Sequence, residues 1–309
     1  MSDIINSQET PDIFCADLSR ESGEPMFGTA PAVDAWFLLE YNGPWTAKAT
    51  GDNDLPGSVQ EWLAEGIAIT GNGRLQFIKQ DRPGSAAGIT FFVALTREFA
   101  PRLYEFHLDT YDDLYSLDLP ALLSDAASHD RNLQSEPLYL VCTNGKRDRC
   151  CSRDGLALYQ ALSRQVGNAA WQCTHLGGHR YAPTLVTFPD GVYYGRLASS
   201  DLAPLLQAQA QDELLLTHLR GRCCYDDVVQ AAEFFLRQKT GRLALDAYGL
   251  LDAQLNDETN WSVRFREPPG GQIHRLTISR TLTDERRLVS CSPHKTRPVV
   301  QFRLVSGGS

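Results

Sequence analysis

Compact apolar runs and helix-like stretches follow one another along the chain in an order that occurs twice. AWFLLEY (Ala35 to Tyr41) is an apolar run ended by Asn42 and Gly43, which predicts a buried strand. Ser58 to Ile67 reads as a short helix. RLQFIKQ from Arg74 and ITFFVALT from Ile89 alternate or run apolar as strands, with the turn-rich DRPGSAAG between them. Leu103 to Leu108 adds a further strand, and Leu119 to Leu133 mixes a short helical piece with polar residues. Pro137 then opens LYLVC (Leu138 to Cys142), a second buried-strand signature, and a domain boundary is expected between residues 134 and 135.

The order then repeats. After a polar loop, Gly155 to Val166 carries Leu156, Tyr159, Leu162 and Val166 at helical spacing. Trp171 to Thr174 forms a short strand, and the loop LGGHRYAP follows. Thr184 to Phe188, the turn Pro189-Asp190-Gly191 and Val192 to Leu197 make a hairpin. Ser199 or Ser200 is placed to cap a helix running through Leu206. The order is β-α-β-β-β-α. WFLLEYNGP aligns with LYLVCTNGK with Asn-Gly in register, which suggests a degenerate copy in which Glu40 stands where Cys142 stands. Beyond Asp226, VVQAAEFFLRQKTG predicts a helix stopped by Gly241, and Leu243 to Leu255 a second helix. WSVRFRE, IHRLTISRTL and VVQFRLV alternate as antiparallel strands.

Composition narrows the class. The chain has 309 residues, 42% of them hydrophobic and 22% charged, the usage of a folded protein of about two domains. A formal net charge of −9 argues against nucleic acid and anionic membrane as partners, because both require clustered Lys and Arg. The first residues, MSDIINSQETPD, form no secretory signal, and no apolar run approaches the roughly 18 residues that cross a bilayer. A cytoplasmic location with reduced thiols is expected.

Four of the eight cysteines, Cys142, Cys150, Cys151 and Cys173, crowd one stretch, with His175 and His179 just beyond them. Cys142 ends a strand, Cys151 follows nine positions later, and the two histidines flank a Gly-Gly pair that argues for a tight loop rather than a helix. Two Cys and two His suit zinc, although the cysteine spacing is longer than in zinc fingers. Iron–sulfur clusters also accept thiolates and can replace two of them by histidine. Spacing leaves both open. Cys223, Cys224 and Cys291 read as packing or surface thiols.

CTNGKRDRCCSRDG followed by WQCTHLGGHRYAPTLVTFPDGVYYGRL resembles the sucrase/ferredoxin-like (sucraseferredoxin) family, whose members carry a thioredoxin-like ferredoxin domain. The likeness extends to CADLSRESGEPMFGTA (Cys15 to Ala30). It implies a [2Fe-2S] cluster held by two Cys and two His, at Cys142, Cys151, His175 and His179. The family's second thiolate falls nine positions after the first, which matches Cys151; Cys150 is the alternative ligand if the loop register differs. The strand and helix order agrees with a thioredoxin-like fold. The chain is thus read as α/β (α+β): an N-terminal α/β domain over residues 1–134, a cluster-less and duplicated thioredoxin-like half; the ferredoxin domain over 135–222; and a helical pair with antiparallel strands over 223–309.

Such a cluster has two fewer negative ligands than an all-cysteine one, so its reduced form is easier to reach. Clusters with two histidines on one iron span roughly −150 to +300 mV, against about −400 mV for plant-type ferredoxins. Electron uptake should be coupled to protonation of His175 or His179, so the potential falls as pH rises through the oxidised state's histidine pKa. Arg147, Asp148, Arg180 and Tyr181 flank the ligands as hydrogen-bond partners for them or as guides for an electron donor. With no flavin or nicotinamide motif, the chain reads as an electron carrier that serves an unknown protein redox partner, rather than as the catalyst of a defined small-molecule reaction. Three rivals are a structural zinc module on the same four ligands, a thiol–disulfide oxidoreductase using Cys150 and Cys151, and a sugar hydrolase. The last needs a carboxylate pair that the sequence does not single out.

Overall fold

The computed structural model describes residues 13–81, 88–124, 127–291 and 294–308; most of the predicted turn DRPGSAAG lies outside them. A short helix α1 (Cys15–Glu21) precedes the first half, which runs β1 (Ala35–Glu40), α2 (Gly57–Ile69), β2 (Gly73–Lys79), β3 (Ile89–Leu95), β4 (Arg102–Leu108) and α3 (Leu119–Leu123). The second half is β5 (Leu138–Cys142), α4 (Arg149–Val166), β6 (Ala170–Cys173), β7 (Thr184–Phe188), β8 (Val192–Gly195) and α5 (Leu202–Ala210). Its β-α-β-β-β-α order is the one read from the sequence. β9 (Leu219–Arg222) and α6 (Asp227–Thr240) lead to β10 (Gly249–Leu255), β11 (Asn260–Arg266), β12 (Ile273–Cys291) and β13 (His294–Gly308).

Nine strands form one mixed sheet in the order β4-β3-β1-β2-β6-β5-β7-β8-β9. In each half a parallel pair, β1 with β2 and β5 with β6, is flanked by an antiparallel strand, β3 on β1 and β7 on β5. The two halves therefore share one topology, with β1 and β5 in matching places. They meet where β2 runs antiparallel to β6 across two residue pairs, Ile78 with Cys173 and Lys79 with Gln172. Both faces of the sheet are covered, which is why AWFLLE and LYLVC are apolar without alternation. On β1, Trp36 and Leu38 share a core with Leu140 and Trp171, while Ala35, Phe37 and Leu39 pack with Val59 and Leu63 of α2. The overall class is mixed α/β.

Several elements differ from the sequence reading. α4 begins at Arg149 rather than Gly155, because the Asp148 carboxylate accepts the Cys150 N–H at 3.0 Å and caps the helix six residues earlier. Cys150 and Cys151 therefore lie in a helical first turn, not in a loop. Neither Ser199 nor Ser200 caps α5; those residues form a 3-10 turn, and Asp201 accepts the Ala198 N–H at 2.7 Å. The second helix expected over Leu243 to Leu255 is absent, since Gly249–Leu255 is strand β10. Pairing with β11, Leu250 opposite Phe265 and Ala253 opposite Val263, overrides the helical preference of its Leu and Ala residues.

The four-stranded sheet β10-β11-β12-β13 packs on α6, whose Val228, Ala232 and Leu236 meet Val263, Phe265 and Ile278. Gly241, at φ 71°, ends α6 as the sequence implied. β12 continues well past the predicted IHRLTISRTL, through 19 residues, and brings Cys291 back against α1 and α4. Among the described residues no helix is long and apolar enough to cross a membrane.

Candidate metal centre

Cys142 is set by strand alternation. Leu138, Leu140 and Cys142 face the core shared with Trp36 and Trp171, while Tyr139 and Val141 face α4 and α5. Helix α4 crosses directly over this strand end at Gly155, where a Cβ would lie 2.1 Å from the Cys142 carbonyl oxygen. Its first turn brings Cys151 beside Cys142. Successive helical residues point about 100° apart, so the neighbouring Cys150 enters a different pocket with Cys15 and Cys291.

His175 and His179 lie on the loop after β6. Gly177 and Gly178 take φ values of 98° and 71°, the left-handed region that glycine enters without steric cost. A Cβ on Gly178 would stand 2.5 Å from the guanidinium of buried Arg220, which donates to the Gly177 carbonyl at 3.0 Å. From the first half, Arg74 and Gln76 of β2 donate to the His175 carbonyl at 2.7 and 3.4 Å. Thr174 bonds the Gln76 side chain at 2.6 Å. The β2–β6 seam thereby fixes the start of the histidine loop.

The donor atoms of Cys142, Cys151 and His175 lie within 4.8 Å of one another. The His179 ring adjoins this group, its centroid 4.9 Å from that of His175, and its Nε2 is 3.6 Å from Asp148 Oδ2. On both rings Nδ1 is buried without a hydrogen-bond partner. Both cysteines are buried and both histidines half-buried. Cys150 belongs to the other group, and Cys173, paired with Cys142 across β5 and β6, stays outside both.

The Cys151 thiol donates to the Cys142 sulfur. That bond, reinforced by His175 and the Leu176 N–H, holds Cys142 well below the ordinary thiol range. The same bond, with burial, pushes Cys151 well above it. Burial brings His179 down to about 4, against the opposing pull of Asp148. A neutral His179 imidazole near a ready Cys142 thiolate is in the protonation state in which such groups bind metal. A buried polar atom without a partner costs free energy, and two such nitrogens beside two thiols suit a borderline-soft metal ion or cluster.

Of the flanking residues, only Asp148 reaches a histidine. Arg180 and Tyr181 both turn to the buried Glu24, each at 3.0 Å. Arg147 is exposed and, with Lys48 and Arg74, lines a groove of about 500 Å³ that His175 also borders. Sequence reasoning missed a second donor group: Cys15, Asp148, Cys150 and Cys291 also bring their ligand atoms within 4.8 Å. Cys291 is buried among those donors rather than a surface or simple packing thiol, and no spacing rule connects positions 15, 150 and 291. The adjacent Cys150-Cys151 pair was the available signal.

A mixed α/β sheet with a buried Cys/His donor group at one strand end defines the class. The sequence pattern of the sucrase/ferredoxin-like family matches residues 26–221, more than half of the chain, and the chain belongs to that family. No curated protein matches it. Among solved structures, a cysteine-to-serine variant of the thioredoxin-like [2Fe-2S] ferredoxin from Aquifex aeolicus is 18% identical. That match covers 27% of this chain and 97% of the ferredoxin, at a TM-score of 0.25.

Proposed function

We propose that the chain carries single electrons on a [2Fe-2S] cluster held by Cys142, Cys151, His175 and His179. The observation that carries this reading is the convergence of the Cys142, Cys151 and His175 donors beside His179, with both Nδ1 atoms buried and unpartnered. A bound cluster supplies a one-electron couple. The protein's part is to keep water from the two buried thiolates, to hold both histidines at the more exposed side, and to keep Asp148 near His179 Nε2. There the carboxylate can steady a proton on that nitrogen. The groove bordered by His175 presents Lys48, Arg74 and Arg147 and no carboxylate, so an acidic face of a protein partner is the natural electron donor or acceptor. A cytoplasmic location belongs to the same proposal.

One observation favours a second reading. Three donors within 4.8 Å also suit a single ion bound at about 2.0–2.3 Å, as in a structural zinc site. The visible spectrum of anaerobically purified full-length protein, with iron, sulfide and zinc assayed on the same sample, separates the two. Red-brown protein with iron and sulfide in equal amounts, and spectra shifted in His175→Cys and His179→Cys, supports the cluster; colourless protein with one zinc in this site refutes it.

A further inference from the structure

On the other side of the first turn of α4, Cys150 Sγ lies 3.6 Å from Cys15 Sγ and 3.4 Å from Cys291 Sγ. Asp148 Oδ1 is 3.9 Å from Cys15 Sγ. These four residues are at most 3% exposed, and their donor atoms all lie within 4.8 Å of one another. They come from three distant parts of the chain: the start of α1, the cap and first turn of α4, and the end of β12.

We propose that Cys15, Cys150, Cys291 and the Asp148 carboxylate form a second metal site that takes one zinc-type divalent cation. The spacing supports an ion rather than a disulfide. Thiolates bound to one tetrahedral ion at about 2.3 Å stand about 3.8 Å apart, near the observed distances, whereas a disulfide requires about 2.05 Å. Joining two of the thiols would also leave the third, and the carboxylate, without a role. Four donors close a structural zinc site.

The surroundings are already arranged for negative ligands. Asp148 Oδ1 accepts one peptide N–H, that of Cys150 at 3.0 Å, and keeps a lone pair on the sulfur side. Oδ2 accepts the Cys291 N–H at 2.8 Å and the Ser290 hydroxyl at 3.2 Å, which fixes the carboxylate's orientation. The Cys15 N–H donates to Cys291 Sγ at 3.1 Å, and the Ala16 N–H to the Cys150 sulfur. As the ion binds, the three thiol protons pass to solvent and three metal–sulfur bonds form, with no change of oxidation state. The bound ion would tie α1 and the end of β12 to α4, and would hold Asp148 where its other oxygen faces His179.

Metal analysis of the full-length protein, purified anaerobically with zinc in the medium, tests this independently of the cluster. One zinc per chain is expected, lost in Cys15→Ser and in Cys291→Ser while iron and visible absorption persist, and retained in Cys142→Ser. Because serine variants can misfold, zinc-edge X-ray absorption on wild-type protein is the second measurement. Three sulfurs and one oxygen support the site. Two sulfurs and two nitrogens place zinc on the histidines and overturn it, as does a zinc content near zero or a native mass short by two hydrogens from a disulfide.

Discussion

Gly155→Ala sets two physical effects of opposite sign against each other. Gly155 is inside α4, where alanine is favoured over glycine by roughly 0.5–1 kcal/mol, so on propensity alone the variant is the more stable protein. The packing predicts the reverse. The added Cβ would stand 2.1 Å from the Cys142 carbonyl oxygen and 3.2 Å from its carbon. Both are backbone atoms, with no flexible side chain to swing aside. Restoring ordinary contact requires α4 and the end of β5 to separate by more than 1 Å, and that end carries Cys142. Overpacking of this kind costs about 1–3 kcal/mol, which exceeds the propensity gain. We expect Gly155→Ala to lower the urea midpoint and to purify with less iron and a weaker visible band, whereas Gln165→Ala on the exposed side of α4 leaves both unchanged. A Gly155→Ala protein as stable as wild type, with full colour, would refute the close approach and the placement of Cys142 that follows from it.

Gly178→Ala should cost about 1–3 kcal/mol from positive φ and from the Arg220 guanidinium 2.5 Å away, and should reduce metal content through the histidine loop; thermal melts and metal assays read both. Glu233 is 1% exposed and bonds both Arg222 and Arg237, themselves at most 2% exposed, so Glu233→Leu leaves two buried cations without a counter-charge and should cost about 3–5 kcal/mol in denaturant unfolding. Asp17 is held below the usual carboxylate range chiefly by Arg153, which bonds it at 2.7 and 2.8 Å. A lowered folded-state pKa contributes stability above the unfolded carboxylate pKa of about 3.9 and loses it as pH falls through the folded value. Asp17→Asn should therefore have the lower urea midpoint at pH 7, with the deficit shrinking as pH falls below the unfolded value of about 3.9; a deficit that does not change with pH would show that the ion pair is not the cause.

The parts of this molecule that were legible in the sequence are those set by local pattern. LYLVC and AWFLLE had to be strands covered on both faces, and the Pro-Asp-Gly turn had to close the β7–β8 hairpin. Convergence of Cys142, Cys151 and His175 could be anticipated because strand end, loop and the turn after β6 all lie within forty residues. Long-range contacts were not legible. Asp148 reads from the sequence as a hydrogen-bond partner of the ligands, but it also caps α4, which moves the helix start and turns Cys150 away from Cys151. Leu243 to Leu255 carries residues that suit a helix, and only its pairing with β11 makes it a strand. The Cys15–Cys150–Cys291 group depends on β12 returning Cys291 to the start of the chain, and no local pattern encodes that.

The β2–β6 seam gives the first half a part in positioning the donor group. Arg74 and Gln76 reach across it to His175, and Phe77 N–H bonds the Thr174 hydroxyl at 3.1 Å. The first half, which places no residue in the Cys142, Cys151 and His175 group, thus serves as a jig for the half that holds it. Cutting the chain at residue 135 to isolate the second half would strip β6 of its outer neighbour and release the His175 backbone. The smallest unit able to present the Cys142, Cys151 and His175 donors in place therefore spans both halves.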